Sequence, residues 1–318
     1  MDNWLGAAEA PSAGPAAVTL DQLRIFVAVA EREHVTRAAE ALHLTQSTVS
    51  AAIAALEARH GVPLFHRVGR RIELTEAGRA VLPEAQLVLA RAGAAERVLA
   101  EFAGLDHGTL AIAASQTIAS YWLPERLAAF HRAHPGIKLQ VTIGNTTQAA
   151  RAVIDGSTEL GLVEGTVDEP VLAARTVGVD RLLIVAGNGT IVPAPAEPED
   201  LLDLDWVSRE AGSGTRTELE AALGHLGLDP ARLRIALELP SNEAVLGAVE
   251  AGVGVAGISM LVAAPRLRDG TLRNLDVKLA PRSFQLLQHK ERRPSRAART
   301  FVDGLEPARP SGLGTHEP

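Results

Sequence analysis

Two helix-start signals, Thr36 and Thr45, stand nine residues apart, and that spacing limits the fold more than any other feature of the chain. Each threonine precedes apolar residues at helical intervals and can accept a hydrogen bond from the backbone it caps. Thr36 is read as the cap of a helix from Arg37 to Leu42, with Ala38, Ala39 and Leu42 facing inward. Thr45 caps a second, Gln46 to Arg59, whose buried stripe is Val49, Ile53 and Leu56 and which Gly61 ends. Only His43 and Leu44 separate them, so the two helices must meet at a tight turn. A further helix precedes the pair, with Leu20, Leu23, Phe26, Val27 and Ala30 on one face and Asp21 near its start. After the pair, Leu64-Phe65 and Ile72-Glu73-Leu74 flank an arginine-bearing turn and predict a short hairpin, a wing.

The outer face of the second helix begins with Gln46, Ser47, Thr48 and Ser50. Short polar side chains at the N-terminal end of such a helix suit base edges and phosphates, with Thr36 beside them. Arg67, Arg70 and Arg71 in the hairpin can straddle phosphates. The arrangement suits duplex DNA. Charge qualifies that reading: the whole chain carries −7, and residues 19–75 hold seven arginines against six acids. A bulk nucleic-acid coat would be more basic. Ala51, Ala52, Ala54 and Ala55 also leave the second helix without cations of its own, so anchoring falls to the hairpin arginines and helix N-termini.

Beyond residue 75 the pattern changes twice. Apolar residues at 81, 85, 88, 92, 95, 99 and 102 follow a 3-4 rhythm, a seam suited to pairing with a second copy, and Pro83 predicts a start or kink near it. From residue 108, strands (109–114, 138–143, 160–163, 181–186, 206–208, 236–239, 253–259) alternate with helices, which predicts an α/β domain with a largely parallel sheet. Its length fits two lobes, 108–186 with 266–304 and 187–265, the chain crossing near 187 and 265. The stretch from Val192 to Asp200 reads as a surface loop, residues 1–18 as a disordered leader and 305–318 as a disordered tail.

Ligands of open α/β sheets sit at the carboxyl ends of strands, against helix N-termini. Two segments have that placement. Ser115, Gln116 and Thr117 follow the first strand of the domain. Ser213, Gly214, Thr215 and Arg216 follow the strand around Trp206. Hydroxyls, backbone N–H groups and a guanidinium together favour an anion. Glu164 ends the third strand of the domain and is open to three readings: accepting a hydrogen bond from a protonated ligand, pairing with Arg216, or solvation.

Other functions lack their signatures. There is no cysteine, which excludes disulfides, thiolate catalysis and Cys-based metal sites. His131 and His134 could share a helix face, but no third ligand accompanies them, and no G-x-S-x-G or Walker loop occurs. No cofactor is expected. No apolar run reaches the roughly 18 residues of a membrane helix, and Met1 to Val18 lacks a basic n-region, so a cytoplasmic setting is expected.

Taken together, "LRIFVAVAE", "TRAAEALHLTQSTVSAAIAALE", "GVPLFHR" and "RRIELTEAG" resemble the LysR-type transcriptional regulators, and the resemblance extends over residues 19–304. Within the family, "ASQTIASYWLP" and "REAGSGTR" are most similar to the branch that regulates sulfur assimilation and carbon-fixation operons. The resemblance implies a winged helix-turn-helix over 19–78, a linker and dimerisation helix over 79–107, and a two-lobed, periplasmic-binding-protein-like effector domain over 108–304. It further implies double-stranded DNA read as paired half-sites, a homodimer or homotetramer, RNA polymerase as a partner and no catalysis. A small anionic effector would lie between the lobes, a sulfur oxyanion first and a phosphorylated or carboxylated metabolite next. The alternatives are a solute-binding protein or an enzyme built on the two-lobed domain. In gel-shift titrations Arg67→Ala is expected to weaken binding to specific and random duplex alike, and Gln46→Ala to relax sequence preference. Wild-type behaviour of both variants would remove the DNA-reading assignment.

Overall fold

The computed structural model describes residues 17–68, 71–102, 108–193 and 197–305, so the expected leader up to residue 16 and the expected tail from residue 306 lie outside it. The chain divides into two compact units, Met1–Ala95 and Glu96–Pro318.

In the first unit, α1 (Leu20–Arg32) opens with a reciprocal cap. The backbone N–H of Gln22 donates to Thr19 Oγ1 at 3.2 Å, and Thr19 N–H to Gln22 Oε1 at 3.2 Å. Helix α2 (Val35–Ala41) starts two residues earlier than the sequence suggests. His34 Nδ1, not Thr36, accepts from the first turn, and Thr36 lies inside the helix. Helix α3 (Gln46–His60) has the expected ends: Thr45 Oγ1 accepts from Thr48 N–H, and Gly61 takes the left-handed conformation at φ 64°. Phe26, Val29, Ala38 and Val49 are fully buried at the meeting of the three helices, with Ile53, Leu56 and Leu64 around them. Leu20, expected on the buried face of α1, is exposed; Ile25 and Val29 take that role.

The wing is a two-stranded antiparallel hairpin, β1 (Phe65–Val68) and β2 (Arg71–Leu74). One carboxylate ties it to α3: Glu57 Oε1 accepts from the backbone N–H of Leu64 at 2.7 Å and of Phe65 at 3.1 Å. Helix α4 (Glu76–Phe102) begins after Thr75, whose Oγ1 accepts from Gly78 N–H. It runs through Pro83 instead of starting there, because Thr75 already supplies the cap. Gly78 is held against the Leu64 carbonyl, where a Cβ would collide. Ala85 is the last buried residue of α4 before Glu96.

The second unit is built on a mixed sheet, not the largely parallel one expected. One lobe carries β3 (Gly108–Ser115), β4 (Ile137–Gly144) and β5 (Leu160–Glu164) in parallel, with α5 (Leu123–Ala133) and α6 (Thr146–Asp155) as crossovers. A π-helical turn, Ile118–Trp122, joins β3 to α5. The other lobe repeats the plan with β7 (Asp205–Arg209), β8 (Arg234–Leu239) and β9 (Val255–Ser259), joined through α7 (Gly214–His225) and α8 (Asn242–Glu250). Two strands that the periodicity underplays run antiparallel between them: β6 (Leu172–Gly187) and β11 (Pro281–His289). The chain also forms α9 (Met260–Arg268), β10 (Leu272–Asn274) and α10 (Arg296–Asp303).

The lobe boundaries expected at 187 and 265 shift accordingly. Strand β6 pairs with β11 up to Arg181 and with β9 from Leu182, so its sixteen residues serve both lobes. Its first half is mostly exposed, which hid it as a strand. The return crossing falls after Leu275, whose N–H still donates to Ile184. Leu305, expected in the tail, packs in the first lobe's core with Phe284 and Phe301.

A buried ion pair joins the two crossings. Arg282 Nε donates to Asp180 Oδ2 at 2.8 Å, with both side chains 1% exposed, and Ser259 Oγ donates to Asp180 Oδ1 at 3.0 Å. Removing one buried partner strands the other, so Asp180→Ala is expected to cost about 3–5 kcal/mol in urea unfolding, and a loss below ~1 kcal/mol would refute the role given to the pair. In the first unit, Glu57→Ala leaves two backbone donors unmatched, a cost of about 1–3 kcal/mol. The expected outcome is weaker DNA binding, measured by fluorescence anisotropy, with Glu57→Gln closer to wild type because it keeps an acceptor oxygen.

Candidate functional site

The first turn of α3 presents Gln46, Ser47, Thr48 and Ser50, all exposed. They are pre-ordered by local hydrogen bonds. Thr45 Oγ1 lies 2.8 Å from both Ser47 Oγ and Thr48 Oγ1. Thr36 Oγ1 donates to Gln46 Oε1 at 3.3 Å, which orients the amide so that its Nε2 is available as a donor. Thr36 thus meets the candidate surface as a neighbour of Gln46 and not as a cap. Behind this turn the exposed face continues as Ala51, Ala54, Ala55 and Ala58. Arg67 and Arg71 occupy the hairpin strands, opposite Ile72 and Val68 respectively. Arg70 lies outside the described residues.

In the second unit the sequence-predicted residues separate into two groups. Ser115, Thr117, Glu164, Ser213 and Thr215 are all buried where the lobes meet. Ser115 Oγ has no hydrogen-bond partner. Thr117 Oγ1 accepts from Asn242 Nδ2 at 3.1 Å, and Gln116 Oε1 from Asn242 N–H at 2.7 Å. Thr215 Oγ1 accepts from Arg282 Nη1 at 3.0 Å. Glu164 accepts from Thr146 Oγ1 at 3.3 Å, and a Cβ added to Gly214 would stand 3.1 Å from its Oε2. Glycine at 214 is therefore what lets the start of α7 close on β5.

Arg216 belongs elsewhere. Its guanidinium is paired with Glu220 at 2.9 Å and Glu238 at 2.6 Å, beside a groove of about 350 Å³ lined by Trp206, Leu219, Leu233 and Ile235. The hydrogen bond to Glu220, joined by Glu238, stabilises its charged form and raises its pKa despite partial burial. Of the three readings open to Glu164, the pair with Arg216 is not formed, because Thr146 and Gly214 are the neighbours of Glu164.

Several residues at the junction have only faint sequence signals. Arg209 is 5% exposed, binds Glu210 through Nε and Nη2, and donates from Nη1 to Asn242 Oδ1 at 2.7 Å. Glu210 in turn accepts from Asn145 Nδ2 at 3.2 Å, and Thr147 N–H donates to the Gly212 carbonyl at 3.2 Å. Burial opposes the charge of Glu210, but hydrogen bonds from Arg209 and Asn145 outweigh it and hold its carboxyl below the usual range. Asn145 and Asn242 are legible as helix starts, although their reach across the junction is not. Arg282 has no signal, because its strand passes unrecognised. Among the described residues no cluster of His, Asp and Glu suits a metal ion, and no helix is long and apolar enough to cross a membrane.

The family model for the lysR family of bacterial regulatory helix-turn-helix proteins matches residues 20–79, and that for the LysR substrate binding domain matches residues 103–309. The HTH-type transcriptional regulator YeiE of Escherichia coli (strain K12) is 34% identical over 296 residues, covering 92% of this chain and 98% of its own. Full-length CbnR in complex with its target DNA shares the fold, with a TM-score of 0.66, 24% identity, and coverage of 90% of this chain and 98% of that one. The regulatory domain of CcmR from Synechocystis PCC6803, in complex with 2-PG, gives a TM-score of 0.54 and 25% identity, covering 63% of this chain and 96% of that one. These are regulators of transcription and not enzymes: the chain belongs to the LysR family, with a DNA-binding helix-turn-helix and an α/β effector-binding domain.

Proposed function

We propose that this regulator reads two DNA half-sites as a homodimer or homotetramer and changes its grip when a small anion enters the junction between its lobes. The reading assigns residues 19–78 to the winged reader, 79–107 to the linker helix and the lobes from 108 to 304 to the sensor. Contact with DNA is assigned to Gln46, Ser47, Thr48, Ser50 and Thr36, with Arg67, Arg70 and Arg71 gripping phosphates. A second copy is favoured by α4, where Val88, Ala92 and Ala95 share one face beyond the last buried residue, Val88 and Ala95 exposed and Ala92 half-buried, and an apolar stripe of this kind needs a partner. The edge strands β4 and β8 add exposed Ile143, Ile235 and Leu237. The cytoplasm is the matching compartment and RNA polymerase the matching downstream partner.

The observation that carries the effector reading is the buried, unpartnered hydroxyl of Ser115. It ends β3, beside Gln116 and Thr117, and pairs with Gly144 just before the start of α6. A buried polar atom without a partner is costly unless something else satisfies it. Neutral donors and helix starts then do the binding, with Ser213, Gly214 and Thr215 on the other lobe and Glu164 between. Arg216 has no part in it, being committed to Glu220 and Glu238. The complex of the related CcmR domain with 2-PG supports a small ligand of this kind. A sulfur oxyanion is ranked first and a phosphorylated or carboxylated metabolite second.

The lobes already touch through Asn242, Arg209 and Asn145, so the ligand acts by exchanging hydrogen bonds at the junction, and it shifts the regulator only as far as it prefers one arrangement. Thermal-shift screening with sulfite, sulfate and phosphoglycolate is expected to find stabilisation, and Ser115→Ala to weaken it about tenfold or more, the equivalent of one buried hydrogen bond at roughly 1–3 kcal/mol. No shift from any anion, or an unaffected Ser115→Ala, would sink the anion reading. Identical DNA footprints with and without a stabilising anion would sink the mechanism.

A further inference from the structure

We infer that the effector carries a hydrogen-bond donor beside its anionic group, so that this junction selects amino acids or hydroxy acids over bare oxyanions. The inference rests on the anion reading above, keeps its site and its anionic end, and reverses its ranking: a bare sulfur oxyanion falls behind a carboxylate that carries a donor.

The hydrogen-bond inventory points to this class. A hydroxyl has one proton to give and two lone pairs to receive with. Asn242 Nδ2 already donates to Thr117 Oγ1, and Arg282 Nη1 to Thr215 Oγ1, so both threonines have their protons left for an acceptor. Asn242 N–H likewise engages Gln116 Oε1 and leaves the amide Nε2 to donate. Ser115 Oγ is buried without a partner. This side of the junction is therefore rich in donors and suits a carboxylate or another oxyanion.

Glu164, at the end of the neighbouring strand β5, has the opposite character. Glu164 is 3% exposed, and as a carboxylate it only accepts. Two other acids at the junction are matched, Asp180 by Arg282 and Glu210 by Arg209. Among the described residues no Arg, Lys or His pairs with Glu164; its one side-chain hydrogen bond comes from Thr146 at 3.3 Å. Neighbouring strands carry both groups: Ala114 pairs with Leu162, Ser115 ends β3 one residue past that pair, and Glu164 ends β5 two residues past it. Thr215 follows Gly214, whose backbone closes on Glu164. An acceptor-only anion would put its charge near that of Glu164 with nothing between them. A ligand with an adjacent ammonium or hydroxyl gives its anionic end to the donors and donates a hydrogen bond to Glu164.

Isothermal titration of the full chain with two matched series tests this: acetate, glycolate and glycine, then propionate, lactate and alanine, with sulfate as the bare oxyanion. At least one hydroxyl- or amino-bearing member is expected to bind tenfold or more tighter than its unsubstituted parent and than sulfate. In Glu164→Gln that margin is expected to shrink about tenfold, with sulfate gaining. DNA binding by gel shift checks that the variant is folded, and the wild-type ranking decides the question if it is not. Equal or tighter binding of sulfate or the unsubstituted acids overturns this inference and leaves the anion reading standing. A margin that survives Glu164→Gln also overturns it, because Glu164 is then not the selecting group. Failure of every compound, sulfate included, overturns both.

Discussion

The sensor half of this regulator depends on one buried contact, the ion pair between Asp180 and Arg282. Each residue stands on one of the two segments by which the chain passes between lobes, Asp180 on β6 and Arg282 on β11. Charges this deeply buried are tolerated only when fully matched, and here the match extends to both lobes. Ser259 caps α9 while donating to Asp180, and Thr215 accepts from Arg282 at the start of α7. A shift at the start of α7 or α9 is thereby a shift at the crossings.

A second circuit crosses the junction through hydroxyl and amide groups and one ion pair. It runs from Thr117 and Gln116 to Asn242, then Arg209, Glu210 and Asn145, and so returns to the first lobe. Three of its members begin or end a secondary-structure element, so the side chains that join the lobes are also those that terminate helices and strands. Asn145 caps α6, Asn242 opens α8 and Arg209 ends β7. Such polar networks specify one arrangement sharply when every member is satisfied. Ser115 lies outside the circuit, its Oγ buried without a partner, and the proposed ligand is what would satisfy it.

Much of this architecture is legible in the sequence where local chemistry decides it. Thr45 and Gly61 mark the ends of α3, and Thr146 to Asp155 coincides with α6, because caps and left-handed glycines act within one turn. The misses share a cause: a partner distant in sequence decides the outcome. Thr36 looks like a cap until its hydroxyl turns to Gln46, ten residues on. Arg216 looks like an anion ligand until Glu238 arrives from the neighbouring strand. Strand β11, with Gln285 and Gln288 among its apolar residues, shows no clean alternation, and its place between β5 and β6 follows only from the finished sheet. Ser115, Thr117, Ser213 and Thr215 are legible because hydroxyls after a strand are a local signal. Arg282 and Asp180, which support Thr215, are not.

The placement of β11 also bears on how the chain is made. The second lobe is continuous in sequence, from Leu182 to Leu275, whereas the first is assembled from two pieces with β11 inserted between β5 and β6. During synthesis the lobe begun first therefore cannot close its sheet until residues 281–289 have emerged, after the whole of the second lobe. Domains made vectorially tend to fold in the order of their appearance; here topology reverses that order. Until then β5 presents an unpaired edge, open to any strand within reach. The late arrival of β11 brings Arg282 to Asp180, so the contact that couples the lobes is also the one that completes the older of them.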